Sequence, residues 1–299
     1  MTEYESYVDH NLKNLKKESI SFENFPHDIQ IIIFSFVGFT PRTNEELREA
    51  VDEWYENKNK AIIKYGHISN WNTQYITDMS KLFKFKYSFN EPLYWDTSNV
   101  TNMSEMFWRA KSFNKSLNFD TKNVASMSGM FYEASSFNQP LNFNTEKVTD
   151  MSNMFYLAKS FNQLLNFTST ENVTNMMWMF SCAESFNQPL NFNTENVESM
   201  EAMFNGARSF NQPLNFNTEN VTKMSHMFRL AKSFNQSLNF TSTKNVTDMR
   251  CMFEYAKSFN QPLNFDTKNV TNMRKMFLKA YSLNQPLNFN TENKCSSLS

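Results

Sequence analysis

Apolar and polar positions along this chain form a pattern that returns every 24 or 25 residues. In VTNMSEMFWRA (100–110) the apolar positions 100, 103, 106, 107 and 110 keep a three-and-four rhythm, which predicts a turn or two of helix. In SLNFD (116–120), Leu117 and Phe119 alternate with polar residues, the period of a strand. The thirteen residues SFNQPLNFNTENV at 185–197 recur letter for letter at 209–221. One column runs Phe89, Phe113, Phe137, Phe161, Phe186, Phe210, Phe234, Phe259, with Leu283 closing it. A second is Val from Val100 to Val270, preceded by Ile76, and three residues later stands Met from Met79 to Met273. A third position, three further on, is Leu82 and then Met106 to Met276, each followed directly by Phe.

A unit this short cannot bury its apolar face alone, so the repetition is structural: stacked units share one continuous core. The expected fold is α/β, a leucine-rich-repeat-like solenoid of short parallel strands and short helices with an N-terminal helical cap. The Met columns, at helical spacing beside Phe and Ala, read as core in preference to a copper site or a promiscuous surface. The recurring Asn side chains are expected to hydrogen-bond turn and edge backbone groups.

The ends depart from the pattern. Over 43–66, Leu47, Ala50, Val51, Trp54, Ala61, Ile62 and Tyr65 mark one face of a helix, with a capping box at Thr43 and Glu46 and a stop at Gly66. The chain is therefore divided into a polar tail (1–19), a helical segment (20–42), a capping helix (43–68), a nine-repeat solenoid (69–293) and a C-terminal tail (294–299).

Composition narrows the function. Twenty-nine Lys and Arg against thirty Asp and Glu argue against a partner held by phosphate neutralisation, so no nucleic acid is expected. The start MTEYESYVDHNLKNLKKES has no apolar signal region, and IQIIIFSFVGF (29–39) is too short to span a bilayer. Cys182, Cys251 and Cys295 fall in different columns and read as free thiols, which places the chain in the cytoplasm. Sequons such as Asn99-Val-Thr and Asn172-Val-Thr follow from the repeat and are expected to stay unglycosylated. His10, His27, His67 and His226 lack metal-ligand spacing, the four glycines are isolated, and acidic residues do not pair from unit to unit. No catalytic residues, cofactor, metal or small-molecule substrate are expected, and the chain is read as non-enzymatic.

The unit NVTxMxxMFxxAxSFNQPLNF resembles the repeats of BspA-like leucine-rich-repeat proteins over about residues 69–293, and shares FNQPL with FNIP repeats. The resemblance implies a strand-plus-helix solenoid used for binding and adhesion. Upstream, FPHDIQIIIFSFV resembles the first helix of an F-box, matching at Phe25, Pro26, Asp28, Ile29, Ile33, Phe34 and Val37. An F-box followed by repeats implies a substrate adaptor for a cullin-type ubiquitin ligase, with a Skp1-like adaptor subunit as partner. Large DNA viruses of eukaryotes share that layout, which would place the protein in host cytoplasm. The alternative for 22–38 is a further capping helix.

Binding residues should be those that differ between units. The variable helical positions offer Trp108, Tyr132, Tyr156, Trp178, Arg229 and Tyr255 as a solenoid face for protein partners. Trp108, Tyr132 and Tyr156 share a column in successive units and are expected to stack into an aromatic strip. Two readings of that strip stay open: a protein-binding patch, or rings lying flat on their neighbours on a solvated face. The function read from the sequence is a protein–protein interaction scaffold, with a BspA-like surface or adhesion protein as the alternative. A purely structural array, ice-binding through a Thr column included, is a third reading.

Overall fold

The computed structural model describes residues 38–289. The chain divides into two compact units, one running to Ile76 and taking in Leu93–Asp96, the other made of Thr77–Pro92 and the chain from Thr97 on.

Among the described residues the first unit holds helices α1 (Asn44–Glu56) and α2 (Lys58–Tyr65) and a 3-10 turn at Ile68–Asn70. Thr43 Oγ1 accepts the Glu46 N–H at 3.1 Å, so the N-cap half of the expected box forms, while Glu46 Oε2 reaches one residue further back and accepts the Arg42 N–H at 2.6 Å in place of the Thr43 N–H. Helix α1 buries Leu47, Ala50, Val51 and Trp54. The single helix expected over 43–66 is broken at Asn57. Its N–H closes α1 on Glu53 O, while its Oδ1 accepts the Lys60 N–H and starts α2. Gly66, at φ +72°, ends α2 as expected. The helices pack on Trp71, which is buried, donates from Nε1 to Gly66 O and stacks on Trp95 at 6.2 Å.

The second unit corrects the expected fold. Among the described residues its backbone consists of turns and isolated bridges, with no helix and no strand longer than one bridged residue. It is therefore not an α/β solenoid of parallel strands and short helices. The cause is a pair of left-handed residues in every rung. One column runs Lys81, Glu105, Gly129, Asn153, Trp178, Ala202, His226, Cys251, Lys275. The other, four residues on, runs Phe85, Arg109, Glu133, Leu157, Cys182, Gly206, Leu230, Tyr255, Lys279. All have φ between +51° and +68°, and a left-handed residue at every fourth position ends a right-handed helix before it can propagate.

The backbone donors show what replaces the helix. In the second rung the N–H groups of Met106, Trp108 and Ala110 bond the carbonyl three residues back. Those of Met103, Glu105, Phe107 and Arg109 instead donate to Ser126, Ser128, Met130 and Tyr132 of the next rung, at 2.7–3.1 Å. Three of these seven donors thus form turns, and four join rung to rung. The succession of turns still directs residues 103, 106, 107 and 110 inward, so the apolar rhythm marks burial correctly while misnaming the backbone. In the Leu-Asn-Phe segments the inward alternation also holds, but pairing shrinks to single parallel bridges such as Leu141↔Leu165 and Leu214↔Leu238.

The core is built from columns. The Val, both Met, Phe and Ala positions from the second to the eighth rung are fully buried. The Phe107 and Phe113 columns form two parallel stacks, with rings 4.1–4.2 Å apart within a rung and 5.3–6.0 Å apart between rungs. A buried Thr column stands beside them. Thr97, Thr121, Thr170, Thr194 and Thr243 each donate from Oγ1 to a carbonyl of the next rung at 2.8–3.0 Å. The Asn side chains do as expected: Asn162, Asn187, Asn211 and Asn235 each accept the backbone N–H of the Asn one rung on at 2.8–2.9 Å.

Candidate interaction surface

With positions 103, 106, 107 and 110 turned inward, positions 105, 108 and 109 of the second rung face outward, although in later rungs Ser181, Ala202, Asn205, Gly206 and Glu254 are buried in the same columns. On this side Trp108 lies on Tyr132 at 3.6 Å between ring centroids, and Tyr132 lies on Tyr156 at 4.5 Å, all three nearly parallel. Trp178 joins from a different column, tilted by 50° and 5.7 Å from Tyr156. Four successive rungs therefore supply one row of rings, each half-buried. Burial raises the phenol pKa of both Tyr132 and Tyr156, so both hydroxyls stay protonated. Gly129 lies against the row: a Cβ there would stand 3.1 Å from the Trp108 ring, which would have to give by a few tenths of an ångström.

The other two residues expected on this face are placed differently. Arg229 is tied to Glu254 by a 2.5 Å ion pair, and Glu254 is itself buried. Tyr255 lies under the Lys279 ammonium at 5.0 Å. Between the aromatic row and this charged stretch the column holds Ser181 and Asn205, bonded to each other at 3.2 Å. The residues of the F-box-like segment, Phe25, Pro26, Asp28, Ile29, Ile33, Phe34 and Val37, lie outside the described residues.

Sequence reasoning missed the most exposed aromatic pair on this side. Phe85 and Tyr87, 6.3 Å apart, are 43% and 44% exposed. Lys84 lies over both Phe85 and Trp108, Arg109 over Phe85, and Lys111 over Tyr87. Lys84 also pairs with Glu105, and Arg109 with Glu133. The signal was present in the columns. Where the first rung has Tyr87, the next seven have Lys111, Ser135, Lys159, Glu184, Arg208, Lys232 and Lys257, and only the ninth returns to an aromatic, Tyr281.

A second surface feature is a shallow groove of about 660 Å³ over the Asn and Thr residues that flank the buried Val column, among them Asn196, Thr222 and Asn245. Its amides are engaged: Asn196 and Asn220 donate from Nδ2 to carbonyls of the preceding rung at 2.7 and 2.8 Å. Among the described residues no group of three or more His, Cys, Asp or Glu could hold a metal ion. No described helix is long and apolar enough to cross a membrane.

The repeated unit decides the family. A family model described as "Mycoplasma protein of unknown function, DUF285" matches residues 49–143, 141–216 and 214–298. The chain belongs to the DUF285 family. The three matches run nearly end to end and make this a repeat protein, in keeping with the BspA-like resemblance of its unit. The DUF285 match begins at residue 49, so it does not extend to the F-box-like stretch and bears on neither an F-box nor a viral source. No curated protein and no solved structure matches the chain.

Proposed function

We propose that this DUF285 protein is a non-enzymatic protein-binding scaffold whose partner face is the row Trp108, Tyr132, Tyr156 and Trp178. The observation that supports this is the row itself. Four large rings are held in fixed order, three of them (Trp108, Tyr132 and Tyr156) at a position where later rungs carry Ser181, Asn205 and Arg229, and Trp178 from the neighbouring column. Aromatic surfaces that are rigid before binding lose little entropy on association and anchor protein partners well. The finer reading, an adaptor that joins a Skp1-like subunit through Phe25, Pro26 and Ile33, stands on the sequence of 22–38 alone. The BspA-like alternative, a surface or adhesion protein, would use the same aromatic face.

The test is selection of displayed random peptides on the full-length chain, run in parallel on a Tyr132→Ser/Tyr156→Ser variant whose unfolding midpoint is checked first. Ligands that bind the parent and lose about tenfold or more on the variant support the reading. Ligands that bind both proteins equally, or no enrichment on the parent, refute it.

A further inference from the structure

The first two rungs of the array combine exposed rings with an excess of cations. The segment 79–88 carries Lys81 and Lys84 outward, Lys86 buried and no carboxylate, and 103–112 adds Arg109 and Lys111 against Glu105 alone. Across the same segment of the third rung, 127–136, the only charge is Glu133. Two carboxylates, Glu105 and Glu133, therefore face four outward cations, Lys81, Lys84, Arg109 and Lys111, and both are already committed to Lys84 and Arg109.

The rings beside these cations are not required by the fold. Phe85 occupies a left-handed position that most other rungs fill with non-aromatic residues such as Glu133, Gly206 or Lys279, Tyr255 excepted. Tyr87 occupies a position that most rungs fill with residues such as Ser135 or Glu184, Tyr281 excepted. Both are nearly half exposed, and Phe85 accepts a left-handed backbone, costing about 1 kcal/mol in a non-glycine residue. Trp108 continues the apolar surface into the aromatic row, with the Lys84 ammonium 4.6 Å from its ring centroid.

We infer that Phe85, Tyr87 and the edge of Trp108, framed by Lys84, Arg109 and Lys111, form a docking site for an acidic peptide segment bearing an aromatic side chain. This rests on the scaffold reading and names the chemistry of the partner. The peptide's ring packs over the exposed faces of Phe85 and Tyr87, and its carboxylates neutralise Lys111 and draw on the donors of Lys84 and Arg109. Charge complementarity selects the peptide: the patch is locally basic on a chain of net charge −1. The patch is too small, and too much of its charge is paired internally, for a polyanion such as single-stranded nucleic acid to be favoured over a short acidic segment.

The test uses the full chain and a fluorescent short peptide of alternating Glu and Tyr, read by anisotropy. A Lys-Tyr counterpart and oligothymidylate serve as comparisons. Two variants use residues that other rungs already carry: Phe85→Gly/Tyr87→Ser, as at Gly206 and Ser135, and Lys111→Glu, as at Glu184. The Glu-Tyr peptide should bind the parent, weaken by about tenfold or more in each variant, and weaken as salt rises from about 50 to about 300 mM. Equal binding of the Lys-Tyr peptide, tighter binding of oligothymidylate, indifference to both variants, or no binding would each overturn the inference. If displayed peptides still depend on Tyr132 and Tyr156 while the Glu-Tyr peptide fails, the scaffold reading stands and only the acidic-partner inference falls.

Discussion

Trp108 lies flat on Tyr132, 2° from parallel, and at the same time covers Gly129, where a Cβ would stand 3.1 Å from its ring carbons. One side chain of the second rung is thus fitted to two positions of the third. The same relation recurs at Gly206, where a Cβ would stand 2.9 Å from Cys182 Sγ. In the other rungs these left-handed positions accept larger residues, so the two glycines serve their neighbours as much as their own backbone.

Gly129→Ala should therefore destabilise the protein by about 1–2 kcal/mol, part from the left-handed backbone and part from displacing the Trp108 ring. Urea unfolding of Gly129→Ala, Trp108→Ser and the double variant separates the parts. A favourable coupling of about 0.5 kcal/mol or more is expected between neighbours in contact. Strict additivity would mean that the ring is not pressed against Gly129.

The buried Thr column yields a second prediction. Thr194 Oγ1 donates to Asn217 O at 2.8 Å from a side chain almost without exposure. Thr194→Val keeps the volume but leaves that carbonyl short of a donor, for a loss of about 1–3 kcal/mol. Thr222, exposed, makes a longer 3.3 Å bond to Glu198 O, and Thr222→Val should change stability by less than about 0.5 kcal/mol. Equal effects at the two sites would remove the column from the list of stabilising contacts. Because the strict Thr column faces inward, it cannot present its hydroxyls to ice.

Burial was legible in the sequence because it depends only on which positions repeat. Met103, Met106, Phe107 and Ala110 are inside whether the backbone is helical or not. The backbone was misread because a succession of turns carrying left-handed residues at 105 and 109 gives the same apolar rhythm as a helix. One signal could have told them apart: neither left-handed column contains a Val, Ile or Thr, the residues that tolerate φ > 0 least. On the surface, the stacking of Trp108, Tyr132 and Tyr156 followed from their shared column. The approach of Trp178 did not, since it needs the lateral reach of a ring across columns. Phe85 and Tyr87 were overlooked because their columns turn aromatic again only far along the chain, at Tyr255 and Tyr281.

The paired Phe stacks should make the array fail locally when cut. Phe180 is fully buried between Phe155 and Phe204, at 5.5 and 5.7 Å, and 4.2 Å from Phe186. Phe180→Ala is expected to cost about 3–5 kcal/mol. Since each rung contacts only its neighbours, the loss should appear first in amide exchange of the adjoining rungs, with those near Val100 and Val270 less affected. Uniformly faster exchange from the second to the ninth rung would show instead that the array unfolds as one unit.

Two groups should shape stability at low pH in separate windows. His226 Nδ1 is buried without a hydrogen-bond partner. Burial first, then the charges of Arg250 and Arg229, hold its pKa below the ordinary 6.5. The folded form resists protonation while the unfolded chain accepts it, so stability present above about 6.5 is lost as pH falls from there toward the folded value. Glu53, paired with Lys60 and then Lys64, has its pKa lowered from 4.5 to about 2. Its contribution is complete above about 4.5 and is lost only as pH falls from there through about 2. Thermal unfolding followed by circular dichroism should thus show a first decline in Tm below about pH 6.5 that His226→Gln lacks, and a second below about pH 4.5 that Glu53→Gln lacks. If His226→Gln keeps the first decline unchanged, the imidazole is not held neutral by its surroundings, and the burial of its Nδ1 is not what that pH range reports.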